Sequence, residues 1–456
     1  MKYPALYSIT ISMEIDMTAL IIICIVFGLL QKLYHETWLN PGSVFCFLWG
    51  ALFFLYKLNL FDYNLISERT TMVFYLQIIF FSLGSYLERY VPRIKKRDRK
   101  QENKFNAIIV FYILSIITIV FLFFSSILVI KSVLLNGYSF WESKQNGDVL
   151  ENSYTGFALI LQFYVVSPFT LIISPLSAAM IFSDQYNINK RTIFIINLII
   201  VFLHTMQHGG RNVLIIFLTV YIIAYFLHEH RIMTISFKKF AIYIIGFFAI
   251  YFFLQITSMR GINNFWESQY FYFVGSIPHL DALINPIKSQ DYTFGGVSFY
   301  GIIHFFTFLL KGFGIISGNS PGLLKIESVL HAADATVYIS MTKTMVAHVG
   351  ISYAFFNDLG FIGVGIGNFV YAIYCTRAFR LARKNFDIYY VAEYLFLMYT
   401  IAMSFIRFYF VNTSVVLGII YLMVLLKYNK VEKLNSVPCT NAIIQANAKS
   451  ASSSRL

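Results

Sequence analysis

Long apolar runs alternate along this chain with short polar or basic segments. A helix needs about 20 apolar residues to cross the hydrocarbon core of a bilayer. Runs of that order lie at 17–34, 43–60, 71–88, 105–130, 155–183, 192–208, 212–228, 240–257, 351–375, 388–406 and 411–427. The pattern predicts an all-α, polytopic integral membrane protein with about eleven transmembrane helices, roughly ten to twelve once ambiguous runs are allowed for. Residues 1–431 read as one transmembrane domain. Residues 432–456 turn polar, end in AKSASSSRL and are expected to be disordered.

Composition closes off the soluble alternative. The 456 residues are 58% apolar and 12% charged, whereas a soluble domain carries about 25% charged residues. A surface with half that supply could not be solvated, and the mean hydropathy of +0.67 agrees. Bilayer lipid must serve as solvent for most of the chain. The net charge of +13 does not point to nucleic acid, because the positive residues sit in short segments between apolar runs, as in cytoplasmic loops beside anionic lipid. The 48 Phe and 32 Tyr suit lipid-facing and interfacial positions. Cys24, Cys46, Cys375 and Cys439 show no metal-like spacing, so neither a disulfide framework nor a zinc site is expected. Glu14 and Asp16 precede the first run where a cleavable signal would be basic, so the first helix is expected to remain.

Lysine and arginine set the expected orientation. Segment 89–104 holds Arg89, Arg93, Lys95, Lys96, Arg97, Arg99, Lys100 and Lys104, which places it in the cytoplasm. Counting spans from there puts 184–191, 229–239, 376–387 and the C-terminus on the same side, and all are basic. The same count puts 131–154, 209–211, 258–350, 407–410 and the N-terminus outside. Lys57 and Arg69 then lie outside, against the charge rule. The external segment 258–350 is long for a connection, and such segments are usually functional. Its stretch 297–317 (GVSFYGIIHFFTFLLKGFGII) is apolar but contains His304 and Lys311. It is expected in the interface, or half-inserted and shielded by protein.

Four features could carry chemistry. In HTMQHGGRN, residues 204–212, Arg211 falls at the external membrane surface, and Gly209 and Gly210 allow a tight turn. A guanidinium there suits phosphate oxygens, or is an anchor snorkelling to water. In SMRGINN, Arg260 follows a span at the same surface and could bind a second phosphate, or simply stop a helix. The long segment carries histidines and acids able to deprotonate a sugar hydroxyl. Of these, His348 ranks first by its closeness to the next helix. His331 and Asp334 would share a face if helical, with the carboxylate orienting the imidazole. Finally, NDLGFIGVGIG, residues 357–367, presents a glycine stripe suited to close helix packing, and Asp358 within it needs a partner.

HGGRNVLIIFL resembles the Gly-Gly-Arg-Ser/Asn segment of bacterial oligosaccharide repeat unit polymerases, the Wzy-type O-antigen and capsule polymerases. YAFFNDLGFIGVGIG resembles the aromatic-Asp-hydrophobic-Gly-x-x-Gly helix start of the same proteins, and the long external segment fits their layout. The resemblance implies a GT-C-like glycosyltransferase in the bacterial inner membrane, needing no metal or other cofactor and acting at the periplasmic face. It would move a glycan chain from undecaprenyl diphosphate onto a lipid-linked repeat unit. The partners so implied are that lipid-linked oligosaccharide, membrane lipids and a chain-length regulator, with no nucleic acid. Arg211 and Arg260, with Gly209 and Gly210, would hold the diphosphate and stabilise charge on the departing oxygen. His348, or the His331–Asp334 pair, would take the acceptor proton, and direct displacement would invert the anomeric centre. The other readings are a lipid-linked oligosaccharide flippase or other transporter, and an O-antigen ligase that shares the donor and differs in acceptor.

Overall fold

A computed structural model describes residues 4–91, 107–136, 156–182, 189–208, 212–229, 265–341, 343–385 and 387–427. The expected span 240–257 and the tail from residue 428 lie outside the described residues. So do Gly209, Gly210, Arg211 and Arg260.

The described chain is built on helices. They are α1 (Pro4–His35), α2 (Pro41–Leu58), α3 (Glu68–Leu87), α4 (Ala107–Asn136), α5 (Phe157–Phe182), α6 (Lys190–His208) and α7 (Asn212–Glu229). There follow α8 (Phe265–Val274), α9 (Ser276–Ile284), α10 (Tyr300–Gly312), α11 (Pro321–Ala333), α12 (Ser352–Asn385), α13 (Ile388–Ala402) and α14 (Thr413–Leu422). A hairpin of β1 (Val337–Tyr338) and β2 (Thr344–Met345) separates α11 from α12. Helix starts follow local chemistry. Asn40, Ser67, Ser320 and Asp387 each accept a backbone N–H of the following first turn, and Pro41 and Pro321 occupy first-turn positions.

Among the described residues seven helices are long and apolar enough to cross a membrane, and 213–228, 388–402 and 413–426 are shorter apolar helices. These ten fall on ten of the eleven runs read from the sequence. The protein is a helical, multi-pass membrane protein. Its centre is α13, buried at every residue from Ile388 to Ile401, apolar but for a few polar groups such as Glu393, which accepts from the Tyr374 hydroxyl. α3 and α12 approach closely, for a Cβ on Gly84 would stand 2.3 Å from the Phe369 carbonyl.

The two ends of the bundle differ. One gathers His35, Arg89, Arg380, Arg383 and Lys384. There Arg380 pairs with the buried Glu88 at 2.7 Å, and Arg383 donates to the His35 carbonyl at 2.6 Å. The other carries α8 to α11 and the hairpin. Lys57 and Arg69, anomalous by charge rule, lie at this loop-rich end and are held there. Lys57 donates to Thr18, while Arg69 donates to the carbonyls of Asn285 and Ile287 and covers the Phe356 ring.

The run expected as a single span at 351–375 has a different form. Leu359 and Gly360 leave helical geometry, with Gly360 at φ +59°, and the chain doubles back. Ser352 lies 3.5 Å from Asn368 through Oγ and Nδ2, whereas a straight helix would separate them by about 24 Å. A Cβ on Gly363 or Gly367 would strike Phe355 at 2.1 or 2.4 Å. The glycine stripe therefore packs one arm of α12 on the other. The short arm, 352–358, starts beside Gln77, halfway along α3, where Ser352 Oγ donates to Gln77 Oε1 at 2.6 Å. It climbs to the loop-rich end, and the long arm, 361–385, crosses to the basic end.

Asp358, at the turn, has its partners. Its carboxylate accepts the backbone N–H groups of Val297 and Ser298 at 2.9 and 3.0 Å and the Thr293 hydroxyl at 2.6 Å. Those bonds fix the turn that launches α10.

Candidate functional site

Two segments outside the α-helices meet inside the bundle. One, 346–351, leads from the hairpin to the short arm of α12, and the other, 403–412, joins α13 to α14. They pair at Gly350 and Arg407, with the Ile406 carbonyl accepting from Val349 N–H at 2.8 Å and Gly350 N–H at 3.1 Å. Their depth follows from Trp49, midway along α2 and about 13 Å from either end of that helix. Its indole donates to Ser404 Oγ at 3.1 Å, and a Cβ on Gly350 would touch the ring at 3.4 Å. Gly350 has φ +69°, a conformation that a glycine adopts without steric penalty. Non-helical backbone at membrane depth persists only where protein or a hydrated cavity satisfies its polar groups, and here protein partners do so for Val349, Gly350 and Ala347.

Against this crossing lies a cavity of about 210 Å³. The short arm of α12 contributes Tyr353, α10 contributes Tyr300, and α11 contributes Glu327 and His331. Asp334 and Arg407 stand at the crossing itself. Arg407 Nη2 donates to Asp334 Oδ1 at 2.7 Å and to the Ala347 carbonyl at 3.3 Å. Its side chain keeps 27% of its exposure, and that of Asp334 keeps 50%, so an incoming anion can reach the guanidinium and displace the carboxylate. Glu327 accepts from Asn319 Nδ2 at 2.9 Å and from the Tyr300 hydroxyl. Burial, then the Glu327 charge, pushes the Tyr300 phenol up to about 12, so it stays protonated and donates. His304, one turn along α10, bonds Thr413 Oγ1 through Nδ1 at 3.1 Å. Burial holds its imidazole below the usual range against the opposing pull of Glu327.

The residues singled out in the sequence separate into three groups. His331 and Asp334 both line the cavity, but their relation differs from the expected one. His331 ends in the last turn of α11, Asp334 lies just beyond it, and the carboxylate turns to Arg407 instead of the imidazole. His348, ranked first as a base, does not line the cavity. Its Nδ1 donates to the Val346 carbonyl at 2.8 Å, its ring meets Tyr272 edge-on, and its Nε2 is buried. The backbone turns on either side of His348, with Ala347 at φ +64° and Gly350 at φ +69°, and the cavity takes Val349 and Gly350 instead. Arg211, Arg260, Gly209 and Gly210 lie outside the described residues.

Arg407 is the site residue that sequence reasoning passed over. The signal was present, for it is an arginine in a four-residue connection, 407–410, between apolar runs, the same setting that drew notice to Arg211. Tyr300 and Tyr353 carried no comparable signal, because tyrosine occurs throughout the chain.

No family model, curated protein or solved structure matches this chain.

Proposed function

We propose that this protein polymerises lipid-linked oligosaccharide repeat units, transferring a growing glycan from undecaprenyl diphosphate to a repeat unit on the same lipid. The loop-rich end faces the periplasm in this reading, and the basic end faces the cytoplasm beside anionic lipid. The observation that carries the proposal is Arg407. A guanidinium inside the membrane's thickness, paired with a half-exposed carboxylate at a cavity that also carries Glu327, His331, Tyr300 and Tyr353, suits a lipid diphosphate. The two short sequence resemblances, at 208–218 and 353–367, point the same way.

The diphosphate takes the place of Asp334 on Arg407, which offers a planar fork of N–H donors. As the bond from the anomeric carbon to the phosphate oxygen breaks, negative charge grows on that oxygen and the guanidinium stabilises it. Glu327 or His331 accepts the proton of the attacking hydroxyl. Asp334, released, holds the second substrate's hydroxyls. Arg211 and Arg260 keep the role of diphosphate ligands that the sequence resemblance implies.

Arg407→Ala is expected to abolish long-chain glycan at normal protein abundance, lowering activity by about 100-fold or more. Arg407→Lys should rescue only in part, because an ammonium lacks the planar fork. Wild-type glycan length in cells carrying Arg407→Ala ends this reading.

One observation favours a second reading. Carriers commonly bind substrate where helices break inside the membrane, and the crossing of 346–351 with 403–412 is such a break. Transport requires two compartments, whereas polymerisation proceeds in detergent. Purified protein that lengthens glycan in micelles is a polymerase. Protein that only moves lipid-linked oligosaccharide across liposomes is a flippase.

A further inference from the structure

Beside the cavity runs a second depression, of about 330 Å³, between α10 and α11. Ile303 and Thr307 form one wall, Leu323 and Ile326 the other, and Ile316 and Gly318 of the connecting loop close the end. Cavity and groove occupy consecutive turns of the same two helices. Tyr300 faces the cavity and Ile303 the groove, and Glu327 faces the cavity while Leu323 faces the groove. The partition between them is thin and apolar, built from Ile326, Val297 and their neighbours Tyr300 and Ile303.

The outer surface of α10 is equally informative. Phe299, Ile302, Phe306, Leu310 and Phe313 recur at intervals of three and four residues, and all are exposed, Phe313 at 77%. At that spacing they form one ridge. Such a ridge is suited to contact with lipid at the bilayer surface. The far end of α10 is fastened by a polar clasp in which Lys311 Nζ donates to Asn319 Oδ1 and Asn319 Nδ2 donates to Glu327. The clasp thus ties the mouth of the groove to a carboxylate of the cavity. Gly314 and Gly318 lie in the connecting loop at φ +69° and +134°, with open space around each. Glycine is used there for backbone freedom and fills no packing role.

We infer that the groove between α10 and α11 receives the isoprenyl chain of the lipid-linked substrate whose diphosphate sits on Arg407. The inference rests on the reading of Arg407 as a diphosphate ligand. A substrate with a charged head and an apolar tail needs a route from the bilayer that keeps the tail out of water. The ridge of α10 provides the lipid contact, the groove an apolar berth, and the cavity behind it the cationic site.

The full chain in lipid nanodiscs tests this with two probes, inorganic diphosphate and the twenty-carbon geranylgeranyl diphosphate. Thr307→Trp and Gly322→Leu each fill the groove. Both should weaken geranylgeranyl diphosphate about tenfold, equal to lost packing of roughly two methylenes. Both should move inorganic diphosphate less than about twofold, which also reports that the protein is folded. Unchanged binding of both probes in both variants overturns the groove and leaves the Arg407 reading standing. Equal loss of both probes in both variants overturns it too, because the groove then has no separable role in holding the chain. If Arg407→Ala leaves inorganic diphosphate binding unchanged, the head-group reading is the one that fails.

Discussion

The contact of α3 with the long arm of α12 and the crossing of 346–351 with 403–412 are built on opposite principles. At the first, small residues bring two complete helices into backbone contact, with Gly84 under the Phe369 carbonyl. Each helix satisfies its own backbone, and dispersion between close surfaces holds the pair. At the second the backbone leaves the helix and needs partners from elsewhere. Gly350 and Val349 find Ile406, Arg407 finds Asp334 and Ala347, and Ser404 finds Trp49. The comparison teaches where this protein can do chemistry. A continuous helix offers lipid and neighbours only side chains, whereas a broken one also exposes donors, acceptors and a cavity.

Substitutions can break that contrast. The largest effect is expected at the crossing, where Arg407→Ala removes activity but leaves the helix contact, and hence protein abundance, intact. Next is Asp358→Ala, which strips Val297 N–H, Ser298 N–H and the Thr293 hydroxyl of their acceptor. A loss of about 3 kcal/mol is expected, read as earlier proteolysis of 291–300 while the basic end stays protected. Gly84→Val tests the other region. Its methyls have no room beneath Phe369, and thermal unfolding in detergent should show a loss of about 1–3 kcal/mol. Surviving protein should keep its affinity for diphosphate, since no cavity residue moves.

The smallest expected effect concerns pH. Burial pushes the His279 imidazole down to about 4, against the opposing pull of its bond to the His348 carbonyl. The folded value lies below the unfolded value of about 6.5, so folding favours the neutral ring. Its contribution is complete above pH 6.5 and is lost as pH falls toward 4. The thermal midpoint should therefore drop between pH 7.5 and 5, and His279→Gln should remove part of that drop. An identical drop in the variant would assign the acid sensitivity to other groups.

Much of this architecture was legible in the pattern of apolar runs. Ten of the predicted runs correspond to described helices because the bilayer imposes one length on every span. The need of Asp358 for a partner was also legible, since an intramembrane carboxylate is unstable alone. The reversal at Leu359–Gly360 was not. An apolar run with glycines reads as one helix whether or not it folds back, and only Tyr292, which blocks any side chain at Gly360, and Phe355, packed on Gly363, reveal the hairpin. The site divided in the same way. His331 and Asp334 stood out by residue type, but the choice of Asp334 for Arg407 depends on two segments 73 positions apart in sequence.

The sequence by itself determined that this chain lives in a bilayer, where its helices run, and which end is basic, because hydropathy and charge act residue by residue. Tertiary structure alone decided which polar groups meet at membrane depth. Partners there are chosen by how two interrupted helices cross, and that depends on packing between residues far apart in the chain.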